Sequence, residues 1–138
     1  MAHRKEKIME KRSKSAEDYL ESILVVQEKQ GYARSVDIAA DLSVTKPSVS
    51  VAMKKLREKG LILFDGNGHL ILTDSGREIA ESVYGKHKLL KKVLMEIGVP
   101  EETASEEACL IEHVISDETC EKIIGFCKKI HLKAVEGE

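Results

Sequence analysis

At 138 residues, with 42% hydrophobic and 33% charged positions, the chain has the make-up of one globular domain or two small ones. No apolar run approaches the ~18 residues of a membrane span, and the basic start MAHRKEKIMEKRSKS lacks a signal peptide's apolar core, so a cytoplasmic location is expected. Three cysteines, Cys109, Cys120 and Cys127, are too few for a disulfide framework, and reduced thiols are the expectation.

The formal net charge of −2 hides an asymmetry. Residues 1–14 carry six Lys/Arg against two Glu. Residues 45–60 carry Lys46, Lys54, Lys55, Arg57 and Lys59 against Glu58 alone, whereas residues 93–121 hold nine Asp/Glu and no Lys or Arg. Basic blocks suit a phosphate backbone. The acidic block suits a bound cation or a solvated face.

In chain order, Ser15-Ala-Glu-Asp18 has the form of a capping box, and the apolar rhythm Tyr19, Leu20, Ile23, Leu24, Val26 predicts a helix over 15–29 ended by Gly31. Val36, Ile38, Ala39 and Leu42 give a short second helix. Thr45 can cap a third, with Pro47 tolerated in its first turn and Gly60 just past its end. Two apolar runs, Leu61–Phe64 and His69–Leu72, flank Asp65-Gly-Asn-Gly68 and predict a hairpin. A long helix follows over about 75–97, closed by Gly98 and Pro100, then two more near 104–115 and 117–130, the last capped by Ser116.

A short helix, a tight turn and a Ser/Thr-opened amphipathic helix make a helix-turn-helix pattern, and the hairpin after it makes it winged. Burying Val49, Ala52, Met53 and Leu56 leaves Thr45, Lys46, Pro47, Ser48, Ser50, Lys54 and Lys55 outward as candidate DNA contacts. The small hydroxyls and the proline could approach base edges, while the lysines would hold phosphates. The alternative is a generic amphipathic helix in a three-helix core.

Cys109-Leu-Ile-Glu112-His113 places a thiolate, a carboxylate and an imidazole at i, i+3 and i+4, a spacing that shares one face on a helix. Asp18 and Glu21 are also spaced i, i+3, and His87 on the long helix is a further candidate. Three carboxylates, two imidazoles and one thiol suit an octahedral divalent transition metal. Each also has a plain structural reading: Asp18 and Glu21 as helix-dipole charges, Cys109 as a small buried apolar group, His87 as an ordinary histidine.

The stretches Glu17-Asp-Tyr-Leu-Glu21, Gly31-Tyr-Ala-Arg34, Asp37-Ile-Ala39, Leu72-Thr73 with Gly76, His87-Lys-Leu-Leu90 and Glu107-Ala-Cys-Leu-Ile-Glu-His-Val-Ile-Ser-Asp-Glu118 resemble the diphtheria toxin repressor family, across about residues 13–130. That family comprises iron-dependent repressors and manganese transport regulators. The resemblance implies a mainly α fold: a winged helix-turn-helix domain, residues 1–78, and a helical metal-binding and dimerisation domain, residues 79–138. It also implies a homodimer that binds palindromic operator DNA when loaded with Mn(II) or Fe(II), at metal-uptake genes, with Zn(II) or Co(II) able to substitute in vitro. Asp18, Glu21, His87, Cys109, Glu112 and His113 fall on family ligand positions. Asp18 and Glu21 resemble the manganese branch, whereas Cys109 resembles the iron branch. Lys91 and Ser105 depart from the ancillary metal site of the longer iron repressors, and Val51 stands where the iron branch has a polar base-contacting residue.

Other classes fit less well. There is no His-Glu-x-x-His array, nucleophile elbow or phosphate loop to support an enzyme. A winged-helix thiol redox sensor using Cys109, Cys120 or Cys127 is a rival, but Cys120 and Cys127 are seven residues apart, more than ~10 Å along a helix and too far to bridge each other. The apolar residues Ile123, Ile124, Phe126, Cys127 and Ile130 are expected at a core or dimer seam.

Overall fold

The computed structural model describes residues 14–130, so most of the basic N-terminal block lies outside the described residues. Those residues form six helices and a hairpin: α1 Ala16–Gln30, α2 Ser35–Leu42, α3 Lys46–Glu58, β1 Ile62–Phe64, β2 Leu70–Leu72, α4 Asp74–Glu96, α5 Glu101–Ile111 and α6 Asp117–Lys129. The chain divides into two compact units within α4, between Ala80 and Glu81.

In the first unit the capping signals act as their chemistry requires. Ser15 Oγ accepts the Asp18 amide, and the Asp18 carboxylate accepts the Ser15 amide. Gly31 ends α1 at φ +87°, where a left-handed residue lets its amide return to the Gln27 carbonyl. Ser43 ends α2 at φ +54°, turning the chain sharply enough for Thr45 to cap α3 two residues later. Leu20, Ile23, Ile38, Val49, Met53, Leu56, Ile62 and Leu70 are fully buried, so all three helices and the hairpin share one core.

β1 and β2 pair antiparallel in the register Ile62 with Leu72, Leu63 with Ile71 and Phe64 with Leu70. Alternation puts Ile62, Leu70 and Leu72 inward and leaves Leu63 and Ile71 exposed. The hairpin is tied down twice, by the Leu70 amide to the Ala33 carbonyl and by Gln27 Nε2 to the Leu70 carbonyl.

The second unit contains the rest of α4 with α5 and α6. Leu89, Leu90, Ala104, Ala108 and Cys120 are buried, and Val93, Ile123 and Ile124 pack on Cys127. Lys86 bonds the Ile115 carbonyl at 3.0 Å and pairs with Asp117 at 3.1 Å. The helix expected over 104–115 instead runs Glu101–Ile111. Pro100 supplies the extended entry that lets it begin earlier. At its other end Ser116 must be extended to cap α6, so the chain leaves the helix through a turn over 112–114.

Candidate functional site

The reader surface is α3. Thr45 Oγ1 accepts the Ser48 amide at 3.3 Å and donates to Ser48 Oγ at 2.9 Å, which fixes the first turn. Thr45, Lys46, Pro47, Ser48, Ser50, Lys54 and Lys55 are all exposed, as the apolar stripe required. Val51 is 56% exposed, so it too is presented outward. Arg57 lies over the ring of Phe64, the last residue of β1. At its tip, the Asp65 carboxylate accepts the Asn67 and His69 amides, and His69 stacks on Tyr32.

The donor residues are held in each unit by different means. On α1, Asp18 is 3% exposed, and its Oδ2 accepts both the Ser15 amide at 2.7 Å and the Ser15 hydroxyl at 3.1 Å. Glu21 follows one turn later and is half-buried. In the second unit, Glu112 caps the C-terminal end of α5 and is 1% exposed. His87 Nδ1, from α4, stands 3.6 Å from Glu112 Oε2, and His113 Nε2 stands 3.9 Å from Glu112 Oε1.

Neither separation is a hydrogen bond. Both Glu112 oxygens and His87 Nδ1 are sealed from solvent with no hydrogen-bond partner. A carboxylate buried without donors is costly, by several kcal/mol for an uncompensated charge, unless a cation completes it. Two imidazole nitrogens and a carboxylate are a donor set that a divalent transition metal accepts, so the residues fit the ion that the sequence pattern implied.

The structure thus brings together His87, Glu112 and His113. Cys109 is half-buried, free of any disulfide, and in no converging group of three donors among the described residues. Glu112 is the C-cap of α5 with helical dihedrals, and its amide bonds the Ala108 carbonyl at 2.9 Å, so it stays one turn beyond Cys109.

Two family models cover almost the whole chain: the N-terminal DNA-binding domain of iron-dependent repressors over residues 11–70, and their metal-binding and dimerisation domain over residues 73–133. The chain belongs to the iron-dependent repressor family. It is a DNA-binding, metal-dependent transcriptional regulator of that family and not an enzyme. It is 38% identical over 119 residues to an HTH-type transcriptional regulator of Methanocaldococcus jannaschii, covering 85% of this chain and 95% of that one. It is 38% identical over 109 residues to the HTH-type transcriptional regulator MntR of Geobacillus kaustophilus, covering 79% of this chain and 77% of that protein. The manganese regulator SloR superposes with a TM-score of 0.75 at 33% identity, over 85% of this chain and 55% of SloR. The chain spans about half the length of such solved relatives, which include complexes with manganese, zinc and cadmium. No described helix is long and apolar enough to cross a membrane.

Proposed function

We propose that this chain is a cytoplasmic, homodimeric repressor that binds palindromic operator DNA when loaded with Mn(II) or Fe(II), and that it controls metal-uptake genes. The observation that carries the metal half of this reading is Glu112, a buried carboxylate facing two imidazoles with no hydrogen-bond donor of its own. Asp18, Glu21, His87, Glu112 and His113 are the proposed ligands, with Cys109 as a further donor. Carboxylate and imidazole donors suit Mn(II) or Fe(II), a Cys109 thiolate would pull toward Fe(II), and Zn(II) and Co(II) bind such donors more tightly in vitro.

When bound, the ion supplies the positive charge that offsets the carboxylates. Asp18 and Glu21 belong to α1, the first helix of the reader, so their recruitment to the same centre as Glu112 would fix the reader within the dimer. Two recognition helices held ~34 Å apart, or a multiple of it, match successive major grooves. Thr45, Pro47, Ser48 and Ser50 then face base edges, and Lys46, Lys54 and Lys55 face phosphates.

The test is to strip the protein of metal and titrate it with Mn(II), and anaerobically with Fe(II), following a labelled palindrome by fluorescence anisotropy at fixed salt. Metal-stimulated binding is expected in the wild type and lost in Glu112→Gln, with circular dichroism unchanged. A normal metal response in that variant overturns the ligand assignment.

A further inference from the structure

Within the first unit, a groove of about 290 Å³ runs between the start of α1 and one flank of α3. Its α3 wall is Ser48, Val51, Ala52, Lys55 and Lys59, spaced three, four, seven and eleven residues from Ser48 and so aligned along one stripe of the helix. Its other wall is Lys14, Ala16 and the Tyr19 ring. Three lysines therefore line one concavity, and no Asp or Glu does among the described residues.

Lys86 and Lys91 have carboxylate partners, Asp117 and Glu101. Lys14, Lys55 and Lys59 make no ion pair or side-chain hydrogen bond among the described residues. Three unpaired cations on a small concave seat repel one another, and an oxyanion relieves that repulsion. The Ser48 hydroxyl already accepts the Thr45 hydrogen, which leaves its own hydrogen to donate toward the groove. The stripe adjoins the face carrying Thr45, Pro47 and Ser50, where a strand running past a helix seated in the major groove presents its phosphates.

We propose that this groove seats a DNA backbone phosphate, gripped by Lys14, Lys55 and Lys59, so that the entry to α1 is part of the DNA interface. Lys14 and Lys59 then act beside the residues of the recognition helix, and they set affinity and register rather than sequence choice.

The inference rests on DNA binding by the full chain, and the experiment separates the two. Anisotropy with a labelled palindromic duplex and a scrambled duplex of equal length, across a salt series at saturating Mn(II), compares the wild type with Lys14→Gln, Lys59→Gln, the double variant and Lys14→Arg. Lys29→Gln, at the far end of α1, removes the same charge elsewhere. Each groove substitution is expected to flatten the slope of log affinity against log salt by about one. Both duplexes should weaken by the same factor, Lys14→Arg should behave as wild type, and Lys29→Gln should leave the slope unchanged. An unaltered slope in the double variant overturns the phosphate seat, as does an equal fall in Lys29→Gln, which would mark a general field. No binding of either duplex by the wild type would instead overturn the DNA-binding reading itself.

Discussion

Gly76 lies in the first turn of α4 against the Leu61 carbonyl, so closely that a methyl group built on it would overlap the backbone. Around it, Thr73 donates to the Gly60 carbonyl at 2.7 Å and accepts the Gly76 amide at 3.2 Å, joining the end of α3, the hairpin and the start of α4. Because the obstacle is backbone rather than a mobile side chain, Gly76→Ala should lower stability by about 1–3 kcal/mol. Chemical denaturation measures this, and an unchanged midpoint would refute the close approach. Glycine and threonine at these places were visible in the sequence as part of the Leu72-Thr73 and Gly76 resemblance. What the glycine avoids was not visible, because Leu61 is fifteen residues away and reaches it only through the fold. Glu112 is the same kind of case. Its spacing from Cys109 suggested a common helical face, but that its carboxylate lies 3.6 Å from His87 of α4 depends on how the helices of the second unit pack.

Among the elements, the hairpin shows how little sequence is needed for a wing and how its tip is held. Asp65 accepts amides from His69 and Asn67 at 2.9 and 2.8 Å, and the His69 amide above all holds its carboxyl below the usual aspartate range, against desolvation and with help from the Asn67 amide. The nearby His69 and Arg34 add to the lowering. A carboxyl whose folded pKa is depressed contributes stability that is complete above its unfolded value, and that is lost as pH falls through the folded one. The Asp65 contribution to the turn should therefore be lost only below about pH 4. The amide resonances of Asn67 and His69 report this directly, and a midpoint at or above the ordinary aspartate range would contradict it. Element types were legible because capping residues and apolar periods are local: Ser15, Thr45 and Ser116 each cap the helix expected of them. The boundary of α5 was not, because Pro100 and the extended Ser116 compete for the same stretch from opposite ends.

For the whole molecule, α6 divides its apolar residues between two tasks. Cys127 is buried with Val93, Ile123 and Ile124 in the core of its own unit, whereas Phe126 is 60% and Ile130 45% exposed. An outward aromatic on a helix of a dimerisation domain is the surface a second copy would cover. Phe126→Asp should shift sedimentation from dimer toward monomer while leaving helical content unchanged. A dimer of undiminished affinity would place the seam elsewhere. Cys120 is buried as well, and burial, as the leading cause, pushes its thiol up despite the nearby Lys86, away from the reactive thiolate.

The sequence by itself determined the class of protein. Helix caps, apolar periods and the Asp65–Gly68 turn act over a few residues, so they can be read without knowing what lies across the core. Candidate donors at Asp18, Glu21, His87, Cys109, Glu112 and His113 could be picked out for the same reason, since donor chemistry belongs to the side chain. Only the tertiary structure decided which donors meet, why Gly76 tolerates no side chain, and that Lys14, far from α3 in sequence, shares a groove with Lys55 and Lys59. Those are relations between distant segments, set by how a common core brings backbones together, and local pattern does not encode them.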